Sequence, residues 1–250
     1  MNDATLILSL DTATGYTSVA VTRGEHLLAI CNGAARTAHN VQLLECIDDA
    51  LRTAKLSLHD IDLFAATTGP GTFTGLRTGL ATMKGFAATL KRSAASIPTL
   101  HAIAVAEGAP YERIMVLLPA GRKEVFAQTV ILDDANRVTE LNAPRHVAPE
   151  IMLAQLDGSE RDILFVGEGA RLYANQMSQR AQKLGFPFIA KEFHGDAERE
   201  EGWRVAPRSQ MPLAVAVAKL ALKNLALNEL VTAGELRAMY VRPSDAELKK

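Results

Sequence analysis

Residues 69–79 have the sequence GPGTFTGLRTG, and this stretch decides how the first part of the chain folds. The apolar run before it, at 61–66, is typical of a buried strand, and 73–90 has the length and spacing of a helix. Glycine and proline at a strand-to-helix turn indicate a backbone that bends sharply or is approached closely. We therefore predict a structural role in the turn for five residues: Gly69, Pro70, Gly71, Gly75 and Arg77.

The turn differs from the glycine-rich loops that bind nucleotides or carry a nucleophile. A Walker loop ends in Lys followed by Ser or Thr, which is missing here. The dinucleotide fingerprint GxGxxG needs a glycine where Thr74 stands. A nucleophile elbow needs a serine between two glycines, and this stretch has none. The pattern therefore excludes three common functions of a glycine turn.

Composition and charge indicate one large or two small globular domains. The chain has 250 residues, 48% of them hydrophobic, and a formal net charge of −1. Such a chain does not hold nucleic acid by bulk electrostatics, so contact with RNA is expected only inside a complex. The start of the chain lacks a basic secretory signal, and the apolar stretch at 212–222 is too short to cross a bilayer. We expect a cytoplasmic protein without membrane contact.

The chain contains two cysteines, Cys31 and Cys46. Two are too few for a disulfide framework. We expect both to be reduced and to serve as small core residues.

Hydrophobic patterning divides the chain into two subdomains. Strands at 6–10, 18–22 and 26–30 open the chain, and this arrangement, with Asp11 closing the first strand, resembles the actin-like ATPase architecture. The predicted N-terminal subdomain covers 1–104 and is joined by a returning helix at about 211–230. The C-terminal subdomain covers 105–210, and a loose tail follows at 243–250. Within 191–209, which is dense in charge, Trp203 is expected on an exposed connection.

Several segments together resemble one family. They are LSLDTAT (8–14), AHNVQLL (38–44), the glycine turn, KEVF (123–126) and YVRP (240–243). These segments are similar to the TsaB (YeaZ) family of bacterial tRNA threonylcarbamoyladenosine biosynthesis subunits. The resemblance implies an α/β protein with the actin-like ATPase (ASKHA) fold, in two subdomains that each hold a mixed sheet flanked by helices.

The resemblance also implies a function and a set of partners. Such a subunit is a scaffold that pairs with the catalytic paralogue TsaD, which modifies N6 of the adenosine 3′ to the anticodon. An ATPase, TsaE, joins the full complex, and tRNA is contacted only through it. Alone, the subunit is expected to form a homodimer and to bind no cofactor, with ATP or ADP held at the complex interface. The helix at 38–54 and the helix after the glycine turn form the pairing surface. Its expected residues are His39, Leu43, Leu44, Ile47, Leu51, Phe73, Leu76, Gly79, Leu80 and Met83.

The pattern of histidines favours a non-catalytic subunit. The catalytic paralogue binds its metal through two histidines one helical turn apart, whereas here His39 is followed one turn later by Leu43. A single imidazole does not complete a metal site that needs three or four protein ligands. We expect no metal and no catalytic residue in this chain.

Asp11 leaves a second class of function open. An Asp at this strand end positions Mg²⁺ or water near phosphate in actin-like ATPases, and Thr12 and Thr14 could face the phosphate. The alternative is an Asp that caps its own turn. A stand-alone ATPase or kinase with a degenerate nucleotide loop at these three residues is the competing hypothesis, for which the short GEG sequence at 167–169 is the nearest second loop. A catalytic threonylcarbamoyl transferase is the third.

Overall fold

The computed structural model describes residues 4–33, 39–189 and 201–241, with the backbone alone at 39–42. It divides into two units. The first comprises the described residues of Met1–Ala102 and Met211–Lys250, and the second is Ile103–Gln210. The division therefore falls two residues before the expected boundary at 104. Within the described residues, no helix has the length and apolar character that a bilayer crossing requires.

The first unit is built on a five-stranded sheet, counted over the described residues, in the order β3-β2-β1-β4-β5. Strands β1, β2 and β3 are antiparallel neighbours, while β4 runs parallel to both β1 and β5. The strands are β1 (Leu6–Asp11), β2 (Ser18–Arg23), β3 (His26–Asn32), β4 (Leu63–Gly69) and β5 (Ser93–Pro98). The helices are α1 (His39–Ala54), α2 (Phe73–Leu90), α3 (Thr99–Glu107), which runs on into the second unit, and α7 (Leu213–Ala226), with a short 3-10 helix at Leu58–Asp60.

Helices cover this sheet on both faces because side chains alternate along each strand. Leu8 and Leu10 of β1 join one core with the inward residues of α1 and α2. On the opposite face of β1, the Ser9 hydroxyl donates to the Ala214 carbonyl of α7 at 2.8 Å. The Ser18 hydroxyl accepts the Ala214 N–H at 3.0 Å. The sheet thus places the ends of β1 and β4, where the candidate turns lie, between packed helices.

The second unit contains a sheet in the order β11-β12-β10-β6-β7-β8, and β9 also pairs with β7. The strands are β6 (Tyr111–Gly121), β7 (Glu124–Leu132), β8 (Val138–Glu140), β9 (Arg145–Val147), β10 (Ile163–Val166), β11 (Phe188–Ile189) and β12 (Trp203–Val205). The helices are α4 (Pro149–Gln155), α5 (Glu168–Leu172) and α6 (Ala174–Leu184).

The expectation that Trp203 lies on an exposed connection is wrong. Its side chain is 0% exposed, packs against Phe165 and Phe186, and donates its indole N–H to the Glu160 carbonyl at 2.7 Å. In this position the apolar rings are removed from water and the indole N–H keeps a hydrogen-bond partner. Together these two effects outweigh the local density of charge. Residues 191–200 of the predicted connection and the tail from 242 lie outside the described residues.

Candidate functional site

The turn after β1 is organised around Asp11, whose side chain is 0% exposed. Its carboxylate accepts hydrogen bonds from the Thr67 hydroxyl at 2.7 Å, the Thr14 hydroxyl at 2.5 Å and the Ala13 N–H at 3.0 Å. Burial raises the pKa of the Asp11 carboxyl, and these hydrogen bonds oppose the rise. The contacts are those of a residue that caps its own turn and ties it to β4.

The glycine turn packs directly onto the Asp11 turn. The Thr72 N–H donates to the Ala13 carbonyl at 2.7 Å, and the Thr12 hydroxyl donates to the Gly75 carbonyl at 2.8 Å. A Cβ at Gly71 would overlap the Ala13 carbonyl, and one at Gly75 would overlap the Thr12 carbonyl. These two glycines are therefore required because another main chain approaches within contact distance.

A third stretch, which we call the C-terminal segment (residues 231–241), closes on the same turn. The Met239 N–H donates to the Thr68 carbonyl at 2.6 Å, and the Met239 carbonyl occupies the space beside Gly69. Gly69 has a φ of +121°, which side-chain-bearing residues rarely adopt, and precedes a cis peptide bond to Pro70. Strand β4 thus ends in a turn that the Asp11 turn and the C-terminal segment hold in place.

Arg77, which was expected to have a structural role in the turn, contacts Phe73 at the start of α2 and Tyr240 of the C-terminal segment. The guanidinium carbon lies 3.7 Å from the centre of the Phe73 ring, and its Nε–H donates to the Tyr240 hydroxyl at 3.4 Å. The Phe73 and Tyr240 rings are 5.3 Å apart. Arg77 therefore stacks on Phe73 within α2 through a cation–π contact, and its hydrogen bond to Tyr240 links α2 to the C-terminal segment.

Most of the residues expected on the pairing surface lie in the core of the first unit. Leu43, Ile47 and Leu51 on α1 and Leu76, Gly79, Leu80 and Met83 on α2 are all buried. Gly79 faces the Thr12 side chain, which a Cβ would overlap. The apolar stripes thus bind the helices to their own sheet. Contact between these residues and a partner stays a prediction. It would require exposed area that these buried side chains do not provide.

The outward faces of α1 and α2 have a different composition. Leu44, which was expected on the pairing surface, is 55% exposed. The exposed positions around it on α1 are acidic: Glu45, Asp48 and Asp49. The exposed positions on α2 are mostly small: Thr74, Ala81, Gly85 and Ala88. Since α1 and α2 contact each other, their outward faces form one surface, which we call the outer helix surface.

The GEG loop of the second unit is filled by a carboxylate from its own chain. The Gly167 N–H donates to Glu107 Oε2 at 2.6 Å, and Arg171 donates to both Glu107 oxygens at 2.8 and 3.0 Å. A Cβ at Gly167 or Gly169 would overlap the Leu117 main chain. The two glycines therefore permit close packing on β6, and the anion in this loop is internal.

The position one turn after His39 points into the core, because Leu43 is 0% exposed. His39 begins α1, and its side chain lies outside the described part of the chain. Among the described residues, no group of three His, Cys, Asp or Glu is placed to hold a metal ion.

The cysteines were expected to be separate thiols, and the structure joins them. Cys31 of β3 and Cys46 of α1 form a disulfide with a Cα–Cα distance of 5.4 Å. Cys46 is a buried core residue as expected, whereas Cys31 is only partly buried. The pairing depends on a strand and a helix packing together, which cysteine number alone does not predict.

Three residues that shape these turns carry little signal in the sequence. Tyr240 belongs to the YVRP segment (240–243), to which the resemblance assigned no role, and Met239 directly precedes that segment. Their position beside the glycine turn is a tertiary contact. Glu107 reaches Gly167 across 60 residues of sequence, so no local pattern marks it.

Comparison with known proteins connects this fold and these turns to a family. The model of the family described as TsaD, tRNA N6-adenosine threonylcarbamoyltransferase, matches residues 33–244. The tRNA threonylcarbamoyladenosine biosynthesis protein TsaB of Haemophilus influenzae is 35% identical over 130 residues, 50% of this chain and 53% of that protein. The protein of the same name from Buchnera aphidicola is 28% identical over 118 residues, 47% of this chain and 56% of that protein. The matched part spans about half the length of these curated relatives.

Among solved structures, YeaZ from Pseudomonas aeruginosa superposes with a TM-score of 0.71 at 22% identity, covering 94% of this chain and 99% of that one. This likeness and the two mixed sheets flanked by helices confirm the expected actin-like ATPase fold. Because the family model matches most of its length, the chain belongs to the TsaD family. The similarity to TsaB proteins and the YeaZ fold confirm the expected resemblance to the TsaB (YeaZ) family.

Proposed function

We propose that this chain is a non-catalytic subunit of the machinery that forms threonylcarbamoyladenosine in tRNA, and that it binds and activates a catalytic TsaD-like paralogue. The names of its relatives support a role in this pathway. The match to the family model supports a common origin of this chain and the paralogue. A TsaE-like ATPase completes the complex, tRNA is reached through it, and the chain forms a homodimer when alone. Any ATP or ADP belongs to the assembled complex.

The observation that carries the non-catalytic role is the engagement of Asp11 by its own chain. Its buried carboxylate accepts three internal hydrogen bonds, and the glycine turn packs against the adjacent Thr12 and Ala13. A carboxylate that positions Mg²⁺ or water needs free lone pairs facing solvent or substrate. An Asp11 engaged in this way favours a scaffold over the stand-alone ATPase or kinase.

The outer helix surface is the part of the chain that we assign to pairing. Leu44 is an exposed apolar side chain, and the small residues of α2 let another helix approach its backbone closely. The buried stripes beneath hold both helices rigid on the sheet. Two such helix pairs, one from each subunit, would meet in a four-helix contact, and the same surface serves a homodimer.

Reconstituted transfer of threonylcarbamoyl to tRNA tests the subunit role. The purified system contains an adenylate-forming enzyme, the TsaD-like paralogue, the TsaE-like ATPase and this chain, and each is omitted in turn. We expect no transfer by this chain alone and loss of transfer when it is omitted. Transfer without the paralogue would contradict the proposal, as would full activity of the paralogue without this chain. Saturable ATP binding by the isolated chain, lost in Asp11→Asn, would favour the ATPase instead.

The variant Gly85→Arg tests the pairing surface. A Cβ at Gly85 meets nothing within 4 Å, so arginine fits the isolated chain, and replacing a helical glycine favours the helix. The matched control is Gly158→Arg in the second unit, where a Cβ also meets open space. We expect Gly85→Arg to weaken binding of the paralogue by about a hundredfold, comparable to the loss of an interface hot spot. Unchanged binding in a folded Gly85→Arg protein would show that the outer helix surface is wrongly assigned.

A further inference from the structure

The disulfide between Cys31 and Cys46 joins β3 to α1. The proposed function needs these two elements in a fixed position relative to each other. Cys31 lies near the end of β3, the edge strand of the first sheet, and Cys46 lies on the inward side of α1. The two residues are 15 apart in sequence. The bond therefore closes the connection between strand and helix into a covalent loop.

The position of Cys46 connects this bond to the outer helix surface. Leu43 and Ile47 neighbour Cys46 on the buried side of α1, whereas Leu44, two residues before Cys46 in the same helical turn, is exposed. A covalent anchor at Cys46 fixes the same helical turn that presents Leu44. Without the anchor, the described side chains hold α1 on the sheet through the packing of its inward face.

The two sulfurs differ in their access to solvent. Cys46 is buried in the core, and Cys31 is only partly buried at the sheet edge. Because disulfide exchange requires direct attack on a sulfur, an external thiolate reaches Cys31 first. The Cys46 thiolate is then the leaving group, and it remains beside Cys31 to re-form the bond.

We propose that Cys31 and Cys46 form a thiol–disulfide exchange site for low-molecular-weight thiols, and that its redox state controls how firmly α1 presents the outer helix surface. In reduction, one thiolate attacks the Cys31 sulfur and gives a mixed disulfide with release of Cys46 thiolate. A second thiolate then attacks the mixed disulfide and frees the Cys31 thiolate. Two external thiols thereby become one external disulfide, and the protein gains two thiols. The effect on pairing rests on the proposed function, whereas the exchange itself does not.

The first experiment uses the unmodified chain in glutathione buffers from fully reducing to fully oxidising. Alkylation and mass spectrometry measure the disulfide fraction, and hydrogen exchange measures the amides at 43–51. We expect the disulfide to open and re-form across the series, with exchange at 43–51 about tenfold slower in the oxidised chain. Two free thiols in every buffer would overturn the inference, as would a disulfide in every buffer or equal exchange in both states.

The second experiment measures binding of the TsaD-like paralogue by the oxidised chain, the reduced chain and Cys31→Ser. The serine variant removes the bond at the partly buried position and keeps Cys46 in the core. We expect the reduced chain and Cys31→Ser to bind roughly tenfold more weakly than the oxidised chain, within the usual range of coupling between sites. Cys31→Ser should not respond to the buffer, and a response would place the redox-sensitive group elsewhere and overturn the inference.

The two proposals fail in distinguishable ways. If the disulfide titrates and α1 loosens while both redox states bind the paralogue equally, control of pairing is wrong and the proposed function stands. If neither redox state binds the paralogue, the proposed function fails, and the titration with hydrogen exchange still decides whether the pair anchors α1.

Discussion

The inner and outer faces of α2 both contain a glycine, but the two glycines serve different purposes. On the inner face, Gly75 leaves room for the Thr12 main chain, and any side chain there collides with it. On the outer face, Gly85 faces open space. The inner face is thus committed to the fold, while the outer face is free to bind a partner. Stability and pairing should therefore respond to different substitutions on one helix.

The largest expected effect comes from a charge on the inner face. Leu80 is buried in the core, so Leu80→Glu places an unpaired carboxylate among apolar side chains. We expect a loss of about 4 kcal/mol or more in the free energy of unfolding, measured by urea denaturation. The matched control is Ala81→Glu on the exposed face, which should change stability by less than about 0.5 kcal/mol. Equal losses for the two variants would contradict the division into faces.

A pair of glycine substitutions sharpens the same comparison. Gly75→Ala forces a methyl group against the Thr12 carbonyl and should cost about 2 kcal/mol, as overpacking usually does. Gly85→Ala meets no obstacle and should stabilise by about 0.5–1 kcal/mol, because alanine is the better helix former. Thermal or urea unfolding measures both. A change of stability in the same direction for both variants would contradict the division of α2 into an inner and an outer face.

Asp11 gives a pH dependence to the stability of the turn on which the inner face of α2 packs. Burial raises the pKa of its carboxyl above the usual value of an aspartate, so the folded chain binds this proton more tightly than the unfolded chain. The contribution of Asp11 to stability is therefore most favourable below the usual pKa of an aspartate and declines as the pH rises from there through the folded pKa. In Asp11→Asn this component is absent, so stability relative to the parent should increase with pH over that range. Urea denaturation at a series of pH values measures the difference, and a flat or falling difference would show that the hydrogen bonds outweigh burial.

The smallest effect is expected at the junction between α2 and the C-terminal segment. Tyr240 is 48% exposed and contacts Phe73 and Arg77. Tyr240→Ala removes the ring contact and should cost about 1 kcal/mol. Tyr240→Phe keeps the ring, loses only the long hydrogen bond to Arg77, and should cost less than about 0.5 kcal/mol. Thermal unfolding of both variants checks this, and equal losses would assign the effect to the hydroxyl.

Local patterns predicted much of the fold because they reflect local physics. The strand before the glycine turn, the helix after it and the three opening strands follow from alternation, helical spacing and turn residues. The face of α1 was harder to predict. Leu43 and Leu44 are adjacent, so a stripe can be drawn through either, and only packing on the sheet places Leu43 inside and Leu44 outside.

Contacts between distant residues could not be predicted in the same way. The space beside Gly69 is taken by Met239, and the GEG loop is taken by Glu107. A glycine in the sequence shows that something approaches closely but does not show whether it is a phosphate or the chain itself. At both turns the structure shows that the chain itself approaches the glycine.

The first unit is assembled from two stretches that are synthesised at different times. Its strands β1–β5 precede residue 103, whereas α7 and the C-terminal segment follow residue 210. As the chain leaves the ribosome, the face of the sheet that α7 later covers stays bare while the whole second unit is translated. At bacterial elongation rates this wait lasts from about 5 to about 20 s. The first unit therefore lacks the cover of α7 on this sheet face for that whole interval, which a continuous domain of its size would not.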